Sequence, residues 1–250
     1  MFKVLQSLKL FIKLIKNKIF SNAFKDQKIL LYGHNDPIIF DIGSFVGETI
    51  AIYRHLFPVS KIYGFEPFED SFIKVKNRFE SDNLITITQK AVSDTQGEKQ
   101  FFTNTFPATN SLLPRPKSER RYYPKKSIAV NNFKVSSVSI DDFCKEQNID
   151  YIHLLKMDIQ GGELLALKGA VQQLKQNKIF LIYTEVQFIP LYEKPPLFHE
   201  ISKFLSEYGY TLFNIYNSVY AKNGQLKYGD AIFVSPQIRN KVIDSFEKEP

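Results

Sequence analysis

Cysteine is almost absent. The 250 residues include one, Cys144, so the chain cannot form an internal disulfide and has no cysteine cluster to hold zinc. That usage suits a reducing cytosol. Long apolar runs are missing as well, and none is long enough to span a bilayer. No internal repeat or low-complexity tract is present. No tight acidic cluster demands a metal, and the dinucleotide fingerprint G-x-G-x-x-G does not occur.

What is present describes a folded enzyme-sized domain. A hydrophobic content of 44% supplies a large core, and the length fits one α/β domain with additions. The formal net charge of +7 favours acidic partners. The first twenty residues, MFKVLQSLKLFIKLIKNKIF, carry apolar side chains at roughly helical spacing, with lysines at 3, 9, 13, 16 and 18. The lysines argue against a secretory signal core. Residues 1–30 are therefore expected to hold a basic amphipathic helix. It either lies on an anionic membrane or packs on its own domain or a second subunit. The expected location is cytoplasmic, with peripheral contact at the inner face of the membrane as one option.

From residue 37 strand and helix patterns alternate. PIIFDIG, KIYGFEP, LITITQKAVSD, EKQFFT, FKVSSVS, YIHLLKMD, KIFLIYTEV, YTLFNIY and DAIFVS read as strands, and GGELLALKGAVQQL as one helix. The expected fold class is α/β: a mostly parallel sheet covered by helices on both faces, filling residues 31–250. Residues 104–132 interrupt the alternation as a long loop insertion. Its stretch from Arg115 to Lys126 holds six basic residues with Tyr122 and Tyr123. Arg115, Arg120, Arg121, Tyr122 and Tyr123 could grip an acidic sugar there, or the loop could be merely solvated.

Ligands of such sheets sit outside the carboxyl ends of the strands. Asp41, Glu66, Asp94, Asp158 and Glu185 all end strands. FDIGSFVGET reads as a strand, a turn on Gly43 and Gly47, and a helix start, where glycines admit a ligand to the backbone. Asp41 beside that turn disfavours a phosphate and favours a cationic or zwitterionic ligand. Glu66, roughly 20 residues further on, is placed to accept both hydroxyls of a ribose. S-adenosylmethionine combines these features.

DIGSFVGET, FEPFEDSF, AVSDTQG, LLKMDIQGGELLALKGA and a late GDAIFV together resemble the FkbM family of S-adenosylmethionine-dependent methyltransferases. The resemblance spans residues 37–235. Lys156, Asp158, Ile159, Gln160, Gly161, Glu163, Leu167, Gly169 and Ala170 match the family pattern K-x-D-(V/I)-(E/Q)-G-x-E-x-x-x-L-x-G-A. Ser44 and Phe45 depart from the usual D-x-G-A-N-x-G. The resemblance implies a Rossmann-like class I methyltransferase fold with a seven-stranded sheet. It also implies O-methylation of a sugar, glycan or other natural-product hydroxyl. Asp41, Gly43, Ser44 and Gly47 would line the methionine part of the cofactor, and Glu66 would hold the ribose with Pro67 beside it. Ala91 and Val92 would flank the adenine, and Asp158 would stand at the mouth.

A weakly acidic hydroxyl needs a base. Asp158 and Glu185 are the candidates, ahead of His199. A divalent metal on two of these carboxylates is compatible with the sequence, and so is a homo-oligomer. Three rival readings stand beside this one. Tyr122 and Lys126 have a dehydrogenase spacing, but Pro124 breaks the helix it needs. Lys194-Pro195-Pro196-Leu197 lacks the amine acceptor and stacking ring of a base-methylating enzyme, so nucleic acid is not the expected partner. A methyltransferase-like domain that binds a partner without turnover is the third.

Overall fold

The computed structural model describes residues 22–116 and 128–244. The expected amphipathic helix falls largely on residues outside that range. The part described, α1 (Asn22–Leu30), buries Ala23, Phe24 and Leu30 against the domain.

The main sheet has seven strands in the order β3-β2-β1-β7-β8-β10-β9. Its members are β1 (Ile38–Ile42), β2 (Lys61–Phe65), β3 (Ile85–Thr88), β7 (Ile152–Met157), β8 (Ile179–Gln187), β9 (Thr211–Tyr220) and β10 (Leu226–Val234). β3, β2, β1, β7 and β8 run parallel, and β10 is antiparallel to both neighbours. Alternate residues feed two cores. Ile39, Leu154 and Leu181 face one, while Phe40, Leu155 and Ile182 face the other. With both faces buried, the strands read as nearly continuous apolar runs. Helices cover both faces. They include α2 (Glu48–Leu56), α3 (Glu69–Arg78), α4 (Ile140–Glu146), α5 (Glu163–Lys168), α6 (Val171–Lys175) and α7 (Phe198–Ser206). The seven-stranded, mostly parallel α/β expectation holds.

Three details differ from the sequence reading, the first being that residues 129–132, expected in the loop insertion, are strand because they pair with residues 102–104. LITITQKAVSD is two strands, because after β3 the chain leaves the main sheet. β4 (Ala91–Val92) then joins a three-stranded sheet, β4-β6-β5, with β5 (Gly97–Asn104) and β6 (Ala129–Val138). GGELLALKGAVQQL is two helices, α5 and α6. The break falls at Gly169, where a Cβ would stand 2.1 Å from the Ser93 carbonyl oxygen, so the chain from β4 passes against the helix backbone.

Strand order reverses between β1 and β7, since β2 and β3 follow on one side and β8 on the other. Such a switch point opens a crevice at the carboxyl ends. Register brings Ile42, Phe65, Met157 and Thr184 level. Gly43, Glu66 and Asp158, each one residue beyond a strand end, therefore gather at one edge, together with Glu185, which was expected to end its strand but lies inside β8 because that strand continues to Gln187.

Candidate active site

The crevice is an open cavity of about 930 Å³, counting the space open to solvent. The main sheet forms its floor through Ile42, Gly43, Phe65, Lys156 and Asp158. Glu66, Pro67, Lys90, Ala91 and Val92 form one wall. Phe101 and the segment Pro107, Ala108, Asn110, Ser111 and Leu112 add to the lining, with Phe101 and Leu112 packed in one cluster with Ala91. The insertion after β5 is thus ordered where it meets the cavity. Pro107–Thr109 make a helical turn, and Ser111 bridges back to Phe102.

Of the residues that the sequence singled out, Gly43, Ser44, Glu66, Pro67, Ala91, Val92 and Asp158 line this cavity. Glu66 is held in place rather than loose. Its Oε2 accepts the Phe45 amide at 2.8 Å and its Oε1 the Phe68 amide at 2.9 Å. A carboxylate has about four acceptor sites, so both oxygens keep capacity for a diol. Burial pushes Glu66 up to about 7, against the pull of those two amides. Ser44 lines the cavity, but its hydroxyl is turned inward and donates to the Asp41 carbonyl at 2.8 Å.

Asp41 and Gly47 do not line it. Asp41 is wholly buried within β1, and its Oδ1 pairs with Lys156 Nζ at 3.0 Å. The Lys156 ammonium also donates to the Gly43 carbonyl at 3.1 Å. Burial opposes its charge, yet Asp41 and Asp158 outweigh that and hold the ammonium protonated. Asp41 therefore anchors the strand end and reaches a ligand only through Lys156. Both glycines of the turn are required by the fold itself. Each has a left-handed backbone, with φ of 78°. A Cβ on Gly43 would meet the Asp158 carbonyl oxygen at 2.1 Å, and one on Gly47 the Phe79 ring at 2.5 Å. Asp94 is also elsewhere, in an ion pair with Lys99 at 2.7 Å.

The two proposed bases have different positions. Asp158 is exposed and lines the cavity. Glu185 is set back from it, behind Gln160. The Gln160 Nε2 donates to Asp158 Oδ1 at 2.8 Å and to Glu185 Oε2 at 3.2 Å. Burial, with Asp158, Glu163 and Asp230 nearby, pushes the Glu185 carboxyl well above the usual range. His199 is exposed on α7, away from the cavity lining. Among the described residues no group of three or more His, Cys, Asp or Glu side chains is arranged to hold a metal, so the metal option gains no site.

Of the expected acceptor residues, Arg120, Arg121, Tyr122 and Tyr123 lie outside the described residues. Arg115 is described. Its guanidinium sits 4.3 Å from the centre of the Tyr192 ring and donates to the Leu191 carbonyl at 3.1 Å.

Sequence reasoning gave no role to Lys156, Gln160 or Tyr192. The first two stand in the block that resembles the FkbM pattern, which was a usable signal. Tyr192 follows β8 in a segment with no periodicity, and nothing in the sequence ties it to Gln160.

The donor set fits S-adenosylmethionine. A carboxylate stands ready for a ribose diol, and Pro67, Ala91, Val92, Phe101 and Leu112 offer apolar surface to a flat base. Over the whole lining the acids Glu48, Glu66 and Asp158 outnumber the bases Lys90 and Lys156, which suits an ammonium and a sulfonium, while either lysine can face a carboxylate. Among the described residues no helix is long and apolar enough to cross a membrane.

The family model described as Methyltransferase FkbM domain matches residues 41–212. A 2-O-methyltransferase, NoeI, of Sinorhizobium fredii is 25% identical over 194 residues, 75% of this chain and 79% of its own. Solved structures are matched at low identity, among them the following two. TrmK of M. capricolum with S-adenosylhomocysteine is 11% identical, with a TM-score of 0.46, over 85% of this chain and 68% of that one. A rRNA methylase of Streptococcus thermophilus is 9% identical, with a TM-score of 0.44, over 85% and 94%.

Proposed function

The chain belongs to the FkbM methyltransferase family, and from that membership we propose that it is an S-adenosylmethionine-dependent O-methyltransferase acting on a hydroxyl of a sugar or glycan. The observation that carries the reading is Asp158, an exposed carboxylate lining a cavity that also offers Glu66 to a ribose. The relative named as a 2-O-methyltransferase supports oxygen as the atom methylated.

Bound, S-adenosylmethionine supplies an activated methyl group on a sulfonium. Glu66 would hold the ribose hydroxyls, with Ala91 and Val92 against the base. Lys156 and Lys90 would offset negative charge at the other end. The rest of the work is positioning and proton removal. The cavity floor must hold the acceptor oxygen in line with the methyl carbon, which can supply much of the rate. Asp158 accepts the hydroxyl proton as the oxygen loses it, a general-base contribution of about 10²–10⁴-fold. The insertion wall, Pro107 to Leu112, covers the same space and limits water. The basic residues of the insertion would meet an acidic acceptor.

The test is transfer of labelled methyl from S-adenosylmethionine to methyl glycosides of a neutral hexose and of a hexuronic acid, with an RNA oligonucleotide as comparison. A methyl ether on a glycoside is the expected product. Asp158→Asn should lower turnover by about 10²–10⁴-fold. Methylated RNA with no methylated glycoside would overturn the sugar reading.

A further inference from the structure

We propose that Gln160 is a positioning residue of the reaction: its side-chain amide clamps Asp158 to Glu185 and turns the second Asp158 oxygen, Oδ2, to the cavity. The inference rests on Asp158 being the base.

Gln160 stands in a left-handed backbone, with φ of 57°. That conformation is costly for a residue with a side chain and persists only where the surroundings over-determine it. Here they do. The Gln160 carbonyl accepts the Ser111 hydroxyl at 2.8 Å. Its side-chain Oε1 faces the Tyr192 hydroxyl at 2.8 Å, and that hydroxyl also lies 3.0 Å from the Thr109 carbonyl. Tyr192 is 1% exposed, so water does not compete for its proton.

The amide has two N–H donors and one acceptor oxygen. Both donors point at carboxylates, and the oxygen points at a hydroxyl. Turning the amide over would set its oxygen against two acids, so Tyr192 and the acids together fix one orientation. The result is an ordered chain: insertion wall, Tyr192, Gln160, then Asp158 and Glu185. With Oδ1 occupied by Gln160, Oδ2 is the atom that faces the acceptor.

The clamp also separates the two acids by role. Other titratable groups lie near the pair: the acids Glu163 of α5 and Asp230 of β10, the base Lys156 of β7, and the neutral phenols Tyr228 and Tyr192. Burial and the neighbouring acids Asp158, Glu163 and Asp230 make the set-back Glu185 hold its proton. A second carboxylate in the place of the Gln160 amide would add to this crowding and remove both donors.

The test follows the carboxyl carbons of Asp158 and Glu185 by NMR across pH, in the full chain labelled at Asp and Glu. Gln160→Met keeps the bulk and removes the donors. Both midpoints should rise, because the amide favours the charged forms. Tyr192→Phe, which frees the amide from its anchor, should move them in the same direction by less. The Glu66 carboxyl, in the same spectra, should stay near 7. Unmoved midpoints in Gln160→Met would overturn the clamp. So would a parallel shift of Glu66, which would mark general loosening. The titration needs no acceptor. Failure of every glycoside would count against the sugar reading and leave the clamp standing.

Discussion

At the scale of single residues, the site depends on charges that are expensive to bury. The Asp41–Lys156 pair is almost completely enclosed, and removing one partner of such a pair typically costs about 3–5 kcal/mol. Asp41→Asn should therefore lower stability by roughly that amount in urea denaturation, although Asp41 does not touch the cavity. Glu66 shows the opposite feature. Its folded carboxyl titrates at about 7, against 4.5 for the free group. The folded state thus holds the proton more tightly, so stability falls as pH rises from about 4.5 to about 7 and is unaffected below that window. Glu163, buried at the head of α5 where it accepts the Ile159 amide at 3.0 Å, is also pushed up to about 7 and acts with the same sign. The ligand-free protein should melt higher at pH 5 than at pH 8, and Glu66→Gln should flatten that slope. An equal slope in the variant would show that Glu66 is not its source. The sequence announced Asp41 and Glu66 by their place at strand ends, and Glu163 by its place in the block that resembles the family pattern. It did not announce their partners, because Lys156 lies on another strand and meets Asp41 only when β1 pairs with β7.

At the scale of elements, close backbone crossings decide where the chain turns. Gly169 separates α5 from α6 because the Ser93 carbonyl stands where its Cβ would be. The carbonyl belongs to backbone and cannot swing away like a side chain. Gly169→Ala should cost about 1–3 kcal/mol or more, and a melting curve that matches the parent would refute the crossing. The same logic corrects the meaning of the glycine turn. Gly43 and Gly47 look in sequence like an opening for a ligand, and spacing cannot reveal that the Asp158 carbonyl and the Phe79 ring fill those places first. Parallel strands and their order of apolar residues were legible because both sheet faces are buried. The move of β4 into a second sheet was not, since Lys90 and Ala91 carry no glycine or proline to mark the change. Likewise, the four prolines of the insertion predicted irregular backbone, but the way Ser111 and Leu112 reach the cavity depends on contacts with β5 and Gln160.

At the scale of the whole molecule, the cavity lies where two sheets meet. Its floor belongs to the seven-stranded sheet, and Ala91, Val92 and Phe101 on its walls belong to the three-stranded one. The small sheet has a modest core of its own: Ala91, Phe101 and Val135, with Phe68 and Leu112 packed on it. A ligand that touches Glu66, Ala91 and Gly43 together therefore adds contacts across the junction. Ligand that binds only the folded state stabilises it by RT ln(1 + [L]/Kd), about 2.7 kcal/mol at 100 times Kd. For a domain of this size each 1 kcal/mol raises the melting temperature by about 2–4 °C, so S-adenosylhomocysteine at that excess should raise it by roughly 5–10 °C. The shift should come as one cooperative transition if the two sheets unfold together. Glu66→Ala should lose the shift, whereas Tyr192→Phe, on the acceptor side, should retain it. Retention in Glu66→Ala would mean that the ribose is held elsewhere. Loss in both would mean that the two halves of the cavity are not separable, and the division into a cofactor wall and an acceptor floor would fail with it.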